Sequence, residues 1–275
     1  MGLKDTLRHF DRTYTQGRLF LAWYGASVSE YGQIIEMRKN PILIGGCGRS
    51  GTTLLLSLLS AHPDIYAVSY ETQAFTPGAY PPLPEKKIDT EGDFCIDFLY
   101  KHFLEKNVSL EKYDRWCEKT PMNVHFFEPL VEYFGPEMRF LNIVRDGREV
   151  VTSHHPNDPS AYWVSPNRWV RDVEAGRRAE GHDQFLTVKY EELVEDYTDC
   201  LKRICDFLGE EYSDAFEDYP ETATLKSSSA WFGEAKSVER RSEKRWQKDE
   251  HQEVVRSLFE IPKGIDHLRY YDYLK

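Results

Sequence analysis

Five short runs of apolar and β-branched residues punctuate the chain: PILIGG (41–46), DIYAVS (64–69), DRWCEK (114–119), MRFLNIV (138–144) and QFLTVKY (184–190). Each has the length of a strand, and β-branched and aromatic residues suit a pleated, half-buried surface. Between them the apolar spacing changes to that of helices. FCIDFLYKHFLEK (94–106), MNVHFFEPLVEYF (122–134) and LKRICDFLG (201–209) place apolar residues three and four apart, and Gly209 closes the last. Strands alternating with helices predict an α/β protein with a central, mainly parallel sheet covered by helices on both faces. In such sheets ligands bind at the carboxyl ends of the strands, so the segment after each strand is where chemistry is expected.

Two stretches break the alternation and read as loops. TPGAYPPLPEKK (76–87) holds four prolines, and HHPNDPSAYWVSPNRW (154–169) mixes three prolines with aromatics. Residues 1–40 read as an N-terminal helical segment packing on the core. With no repeat or linker in view, 1–275 is expected to form a single domain.

Composition narrows the partners. The 275 residues carry a formal net charge of −11, which argues against a general nucleic-acid binder. Any anion site must then be a local basic pocket. No stretch resembles a membrane span or a signal peptide. The five cysteines (Cys47, Cys95, Cys117, Cys200 and Cys205) have no metal-ligand spacing. Their odd number points to reduced thiols and a cytoplasmic location, and no metal is expected.

Four post-strand segments carry candidate chemistry. After the first run comes GGCGRSGTT (45–53), a glycine-rich turn entering an apolar helix. A mononucleotide loop of the form G-x-x-x-x-G-K-[ST] would place a lysine where this chain has Thr52. The loop offers backbone amides at Gly48 and Gly51, the hydroxyls of Ser50, Thr52 and Thr53, and one cation, Arg49. It is poorly equipped for a triphosphate with Mg²⁺ and suits a smaller phosphate group. The alternative is a tight turn with no ligand. After the fourth run, VRDGREVVTS (144–153) places Arg145 at a strand end and Ser153 on the helix that follows. Arg145 there is set to grip a phosphate with its planar fork, or else forms a surface pair with Asp146. CEKTPMN (117–123) sets Lys119 at a third strand end, as a charge-neutralising group or a solvated cation. SYETQAF (69–75) sets Glu71 after the second, as a general base, a helix-start carboxylate or an ion-pair partner.

Taken together, these segments resemble the PAPS-dependent sulfotransferases, in the bacterial and tyrosylprotein-type branch. GRSGTT followed by AHP resembles that branch's 5′-phosphosulfate loop. VRDGREVVTS resembles its 3′-phosphate element, with Arg145 and Ser153 eight residues apart. EKTP resembles the segment with the catalytic lysine, and VKYEELVED through LKRICDFLG resembles a further segment in which Tyr190 lines the nucleotide pocket. The resemblance spans roughly 41–250 and implies a P-loop-type three-layer fold.

It also implies an activity: in-line transfer of the sulfuryl group of PAPS to an acceptor hydroxyl or amine, with PAP as product and no metal. Lys119 and Arg49 would neutralise charge, and Glu71 would take the acceptor proton. Gly48, Arg49, Ser50, Gly51, Thr52, Thr53, Arg145, Ser153 and Tyr190 would bind the nucleotide.

The chain departs from the pattern in places. Pro121 stands where the aryl-type enzymes carry a histidine base, and Glu71-Thr72-Gln73 lacks the arginine of the tyrosylprotein type. His125 and His154 are back-up bases. AKSVERRSEKRW (235–246) resembles the nucleotide-covering segment, with Lys236 and Ser237 as its candidates. The acceptor remains open among small molecules, carbohydrates, lipids and peptides, with Tyr80, Tyr162 and Trp163 hinting at a partly apolar one. Two other readings stand beside this one: a P-loop kinase or NTPase, and a non-catalytic nucleotide-binding scaffold.

Overall fold

The computed structural model describes residues 40–76, 112–155, 158–227 and 244–275, with single positions between them (94, 99, 102, 103, 106, 108 and 238). The N-terminal segment 1–39, nearly all of the proline-rich stretch 76–87 including Tyr80, most of 94–106, Lys236 and Ser237 lie outside the described residues.

All five strand runs form strands, and all pair in parallel. β1 (Pro41–Gly46), β2 (Ile65–Ala67), β3 (Arg115–Lys119), β4 (Arg139–Val144) and β7 (Phe185–Lys189) make one sheet in the order β2-β3-β1-β4-β7. The register brings Ile44 opposite Lys119 and Gly46 opposite Ile143. Successive side chains on a strand point to opposite faces, and the core divides accordingly. Ile42, Ile44, Leu141 and Ile143 pack under α1 (Thr52–Leu59) and α6 (Tyr197–Leu208). Leu43, Trp116 and Phe140 pack on the other face against α2 (Phe127–Phe134) and the end of α4 (Pro166–Ala179). Phe140 and Phe185, paired in register, stack with centroids 5.2 Å apart and planes 7° from parallel. The result is the three-layer α/β arrangement the alternation predicted.

Three elements differ from the sequence reading. The 122–134 segment is not one helix: a 3₁₀ turn spans Pro121–Phe126 before α2 begins at Phe127. Pro129 accounts for the break, since it has no N–H for the carbonyl of His125 and its ring would clash there. Ser153 lies just past the short helix α3 (Gly147–Val151), not within it. Asp146 caps that helix by accepting from the Arg148 N–H at 2.9 Å.

The stretch 154–169 is not a plain loop either. Its first part is an antiparallel ribbon, β5 (His154–His155) with β6 (Asp158–Tyr162). Its last residues start α4, a 14-residue helix with Pro166 in its first turn and Ser165 accepting from the Arg168 N–H. Gly176 lets α4 lie close on the sheet, because a Cβ there would come within 2.6 Å of Asn142 Nδ2. Helices α5 (Tyr190–Glu195), α7 (Gln252–Phe259) and α8 (Pro262–Tyr270) are the remaining α-helices among the described residues.

Candidate active site

The phosphate-type loop leaves β1 at Gly46 (φ 135°) and turns into α1 through Gly51 (φ 103°). Both angles lie in the region that only glycine enters readily. At Gly46 a Cβ would stand 2.3 Å from the Ile143 carbonyl. Arg49 also holds a positive φ, 69°. Thr52 and Thr53 open α1 and are buried, as is Ser50, whose Oγ has no hydrogen-bond partner among the described residues. A buried hydroxyl left unsatisfied beside a helix N-terminus is what an anion-binding cradle presents before it is filled.

Tyr190, at the start of α5, closes the far side. Its ring covers Gly51, where a Cβ would meet Cδ2 at 2.6 Å, so only glycine permits this contact. The Arg145 guanidinium stacks on the same ring, 4.1 Å from its centroid, and Nη1 reaches the Arg49 carbonyl at 3.4 Å. Arg145 is thereby held flat at the rim of the loop, as a bidentate phosphate contact requires. Its buried Nε has no hydrogen-bond partner among the described residues. Ser153 Oγ donates to the Glu149 carbonyl at 3.1 Å, while Glu149 Oε2 lies 3.7 Å from Arg145 and 3.5 Å from Arg245. Direct contacts thus link the loop to Tyr190 and Arg145, and Glu149 links Arg145 to Ser153.

Lys119 and Glu71 meet. Lys119 ends β3, adjacent to β1, and its buried Nζ donates to Glu71 Oε1 in a short ion pair. Glu71, from the segment after β2, keeps a side chain 27% exposed. A buried cation and a solvent-reachable carboxylate therefore sit together at the strand ends.

The back-up bases are placed differently. His125 Nε2 pairs with Asp172 Oδ1 at 2.8 Å in the interior, and Asp172 also takes Arg168 and Arg171. Burial pushes the Asp172 carboxyl up, but His125 and the two arginines outweigh it and hold it below the usual range. His154 packs in a ring cluster with Tyr162 and His251, whose centroids lie 5.2 and 5.6 Å away, and its buried Nδ1 has no hydrogen-bond partner among the described residues. Burial pushes the Cys47 thiol in the loop well up, and Asp172 adds to this, so it is not a thiolate nucleophile.

Two basic residues were not singled out by the sequence reading. Arg245 Nη2 donates to Ser153 Oγ at 3.0 Å, bringing a second guanidinium to the Arg145 side of the pocket. It lies only a few residues beyond Lys236 and Ser237. Arg168 and Trp163 flank the loop, each 3.3 Å from where a Gly48 Cβ would sit. Trp163 accordingly belongs to the wall of the loop. The signal was the Ser-Pro helix start at 165–166, which carries Arg168 on the first turn.

A parallel sheet flanked by helices, with a lysine-free glycine-rich loop after β1 and an arginine after β4, is a three-layer α/β fold. The chain belongs to the sulfotransferase family, which it matches over residues 41–214. It is 30% identical over 207 residues to the protein-tyrosine sulfotransferase of Drosophila melanogaster, covering 65% of this chain and 40% of that protein. It is 29% identical over 194 residues to protein-tyrosine sulfotransferase 1 of Danio rerio, covering 63% of this chain and 54% of the relative. The chain thus spans about half the length of these relatives.

Among solved structures, the sulfotransferase domain of the Synechococcus PCC 7002 olefin synthase aligns with a TM-score of 0.54 at 18% identity. The alignment covers 86% of this chain and 96% of that one. Mouse sulfotransferase SULT7A1, complexed with PAP, aligns with a TM-score of 0.51 at 17% identity, covering 86% and 90%. These two likenesses concern the fold.

Proposed function

We propose that the protein transfers the sulfuryl group of PAPS to an acceptor hydroxyl or amine and releases PAP. The observation that carries this reading is the Lys119–Glu71 pair. Lys119 stands opposite Ile44, two residues before the glycine that opens the phosphate-type loop. In the reaction the acceptor heteroatom forms a bond to sulfur, and the bond from sulfur to the bridging oxygen of the 5′-phosphate breaks. The electron pair leaves on that oxygen, where Lys119, Arg49 and the loop amides meet the developing charge. Glu71, the more exposed partner, takes the acceptor proton. Arg145, Ser153 and Tyr190 hold the 3′-phosphate end, and the orphaned Ser50 hydroxyl and Arg145 Nε supply donors for the two phosphate groups.

Glu71 is favoured over His125 as base because His125 is committed to Asp172 in the interior. No metal takes part in this scheme. A reducing, cytoplasmic setting belongs to the same reading, supported by four described cysteines that are buried free thiols. Among the described residues no helix is long and apolar enough to cross a membrane.

The test is an acceptor screen with PAPS, read by mass detection of sulfated product and by PAP release. Tyrosyl peptides come first, given the relatives' names, followed by small phenols, sugars and lipid hydroxyls. Product from at least one class is expected. Tight PAP binding with no product from any class would make the chain a nucleotide-binding scaffold.

A further inference from the structure

Glu118 precedes Lys119 on β3, points to the opposite face of the sheet and has no solvent exposure. Four donors converge on its carboxylate, and all are neutral. Oε1 accepts from the Thr72 N–H at 3.1 Å, the Thr72 hydroxyl at 2.9 Å and the Thr120 hydroxyl at 2.7 Å. Oε2 accepts from Asn123 Nδ2 at 2.8 Å. The polarity of the two hydroxyl bonds is fixed. Thr72 Oγ1 accepts from the Ala74 N–H and Thr120 Oγ1 from the Gln73 N–H, so each hydroxyl has its proton free for Glu118. Oε1 therefore acts only as an acceptor.

The residues it binds matter more than their number. Thr72 directly follows Glu71, and Thr120 directly follows Lys119. Gln73, whose φ of 55° turns the chain through a left-handed step, is tied by its N–H to Thr120. Asn123 also donates to the Ile44 carbonyl at 3.3 Å, in the strand that leads into the phosphate-type loop. One carboxylate therefore joins the ends of β1 and β3 and the segment after β2. A buried carboxylate without a cationic partner is costly compared with an apolar residue of similar size. Burial pushes this carboxyl up, against the opposing pull of Thr120, Asn123 and Thr72.

We infer that Glu118 is a positioning residue that sets the separation of Glu71 and Lys119 by holding their chain neighbours, Thr72 and Thr120, on one carboxylate. It touches neither substrate nor reacting atoms. The inference rests on the proposed sulfuryl transfer only for its catalytic meaning, since the pairing itself is a property of the protein alone.

The first experiment accordingly uses the free protein. A brief pulse of acetic anhydride, followed by peptide mass spectrometry, reads the reactivity of Lys119 against the exposed Lys226. Glu71→Gln removes the ionic partner and raises Lys119 labelling. Glu118→Gln keeps an acceptor for the threonine donors but turns an NH₂ group toward Asn123 Nδ2, which disturbs the network without a change of volume. It is expected to raise Lys119 labelling by at least about twofold, the low end of coupling between neighbours in one network. The double variant E71Q/E118Q should label no faster than the faster single variant. Labelling of Lys119 at the wild-type rate in Glu118→Gln, or effects that multiply in the double variant, would overturn the inference. Should Glu118→Gln fail to fold, Thr120→Val removes one donor and carries the same expectation.

Turnover supplies the second readout. With an acceptor in hand, Glu118→Gln should lower kcat while PAP affinity stays within about twofold of wild type, the split expected when only transition-state geometry is disturbed. Equal loss in both would mark a merely structural role. Absence of turnover in the wild-type protein would count against the proposed reaction and leave the labelling result standing.

Discussion

Arg145 is held by three contacts, the Tyr190 ring, the Arg49 carbonyl on Nη1 and Glu149 Oε2 at 3.7 Å from Nη2, and its Nε has no hydrogen-bond partner among the described residues. A guanidinium stacked in this way has lost little further freedom when a phosphate arrives, so its charge-assisted bonds are nearly all gain. Arg145→Ala should therefore weaken PAP by about 1.5–3 kcal/mol and leave a ligand lacking the 3′-phosphate almost unaffected. Calorimetric titration of PAP against 5′-AMP reads the difference, and an unchanged preference for PAP would move the 3′-phosphate site elsewhere. At Glu71 the expectation is kinetic. Glu71→Gln keeps shape and removes basicity, so turnover should fall by ~10²–10⁴-fold with nucleotide affinity nearly constant. The loss should shrink for acceptors of lower hydroxyl pKa. A near-wild-type Glu71→Gln beside an inactive His125→Ala would make the histidine the base.

At the level of elements, the loop after β1 is walled by a helix that the sequence reading missed. α4 begins inside a proline-spotted stretch, and its charged run RDVEAGRR hides an apolar edge of Trp169, Val170 and Val173. The five strands were legible because both faces are buried, which leaves near-continuous apolar runs. Post-strand chemistry was legible for the same reason, since strand ends mark where ligands bind. Arg245 was legible only as part of the 235–246 segment, and Glu118 was not legible. Arg245 reaches the pocket only through tertiary return of the C-terminal segment, and Glu118 reads as an ordinary polar strand position until burial is known.

The Asp172 clamp joins α4 to the 3₁₀ turn and carries a pH signature. Its carboxyl is held below the usual range in the folded state. The stability it contributes is therefore present above the ordinary carboxyl pKa of about 3.9 and is lost as pH falls through the lower folded value. Asp172→Asn strands three basic partners, so it should cost about 3–5 kcal/mol near neutral pH in urea titrations. That gap should narrow as pH falls below the ordinary carboxyl range. A gap independent of pH would mean the carboxylate charge contributes nothing to the clamp.

The whole molecule carries a net charge of −11, while Arg49, Lys119 and Arg145 stand at or just after strand ends and Arg245 contacts Ser153. An acidic surface gives polyanions no general attraction, so affinity for a phosphorylated nucleotide must come from fixed local donors. Those donors sit at two places, the loop and the Arg145–Ser153–Arg245 side, which matches a ligand with separated phosphates better than a linear triphosphate. Thr52 in the lysine position further disfavours a triphosphate chain. Thermal unfolding separates the readings because a ligand stabilises the folded state by about 2.7 kcal/mol at a hundred times its Kd. PAP in excess should raise Tm by several degrees, ATP with Mg²⁺ should raise it little, and EDTA should leave the PAP shift unchanged. A larger shift with ATP and Mg²⁺ than with PAP, abolished by EDTA, would instead identify a nucleoside-triphosphate enzyme built on the same sheet.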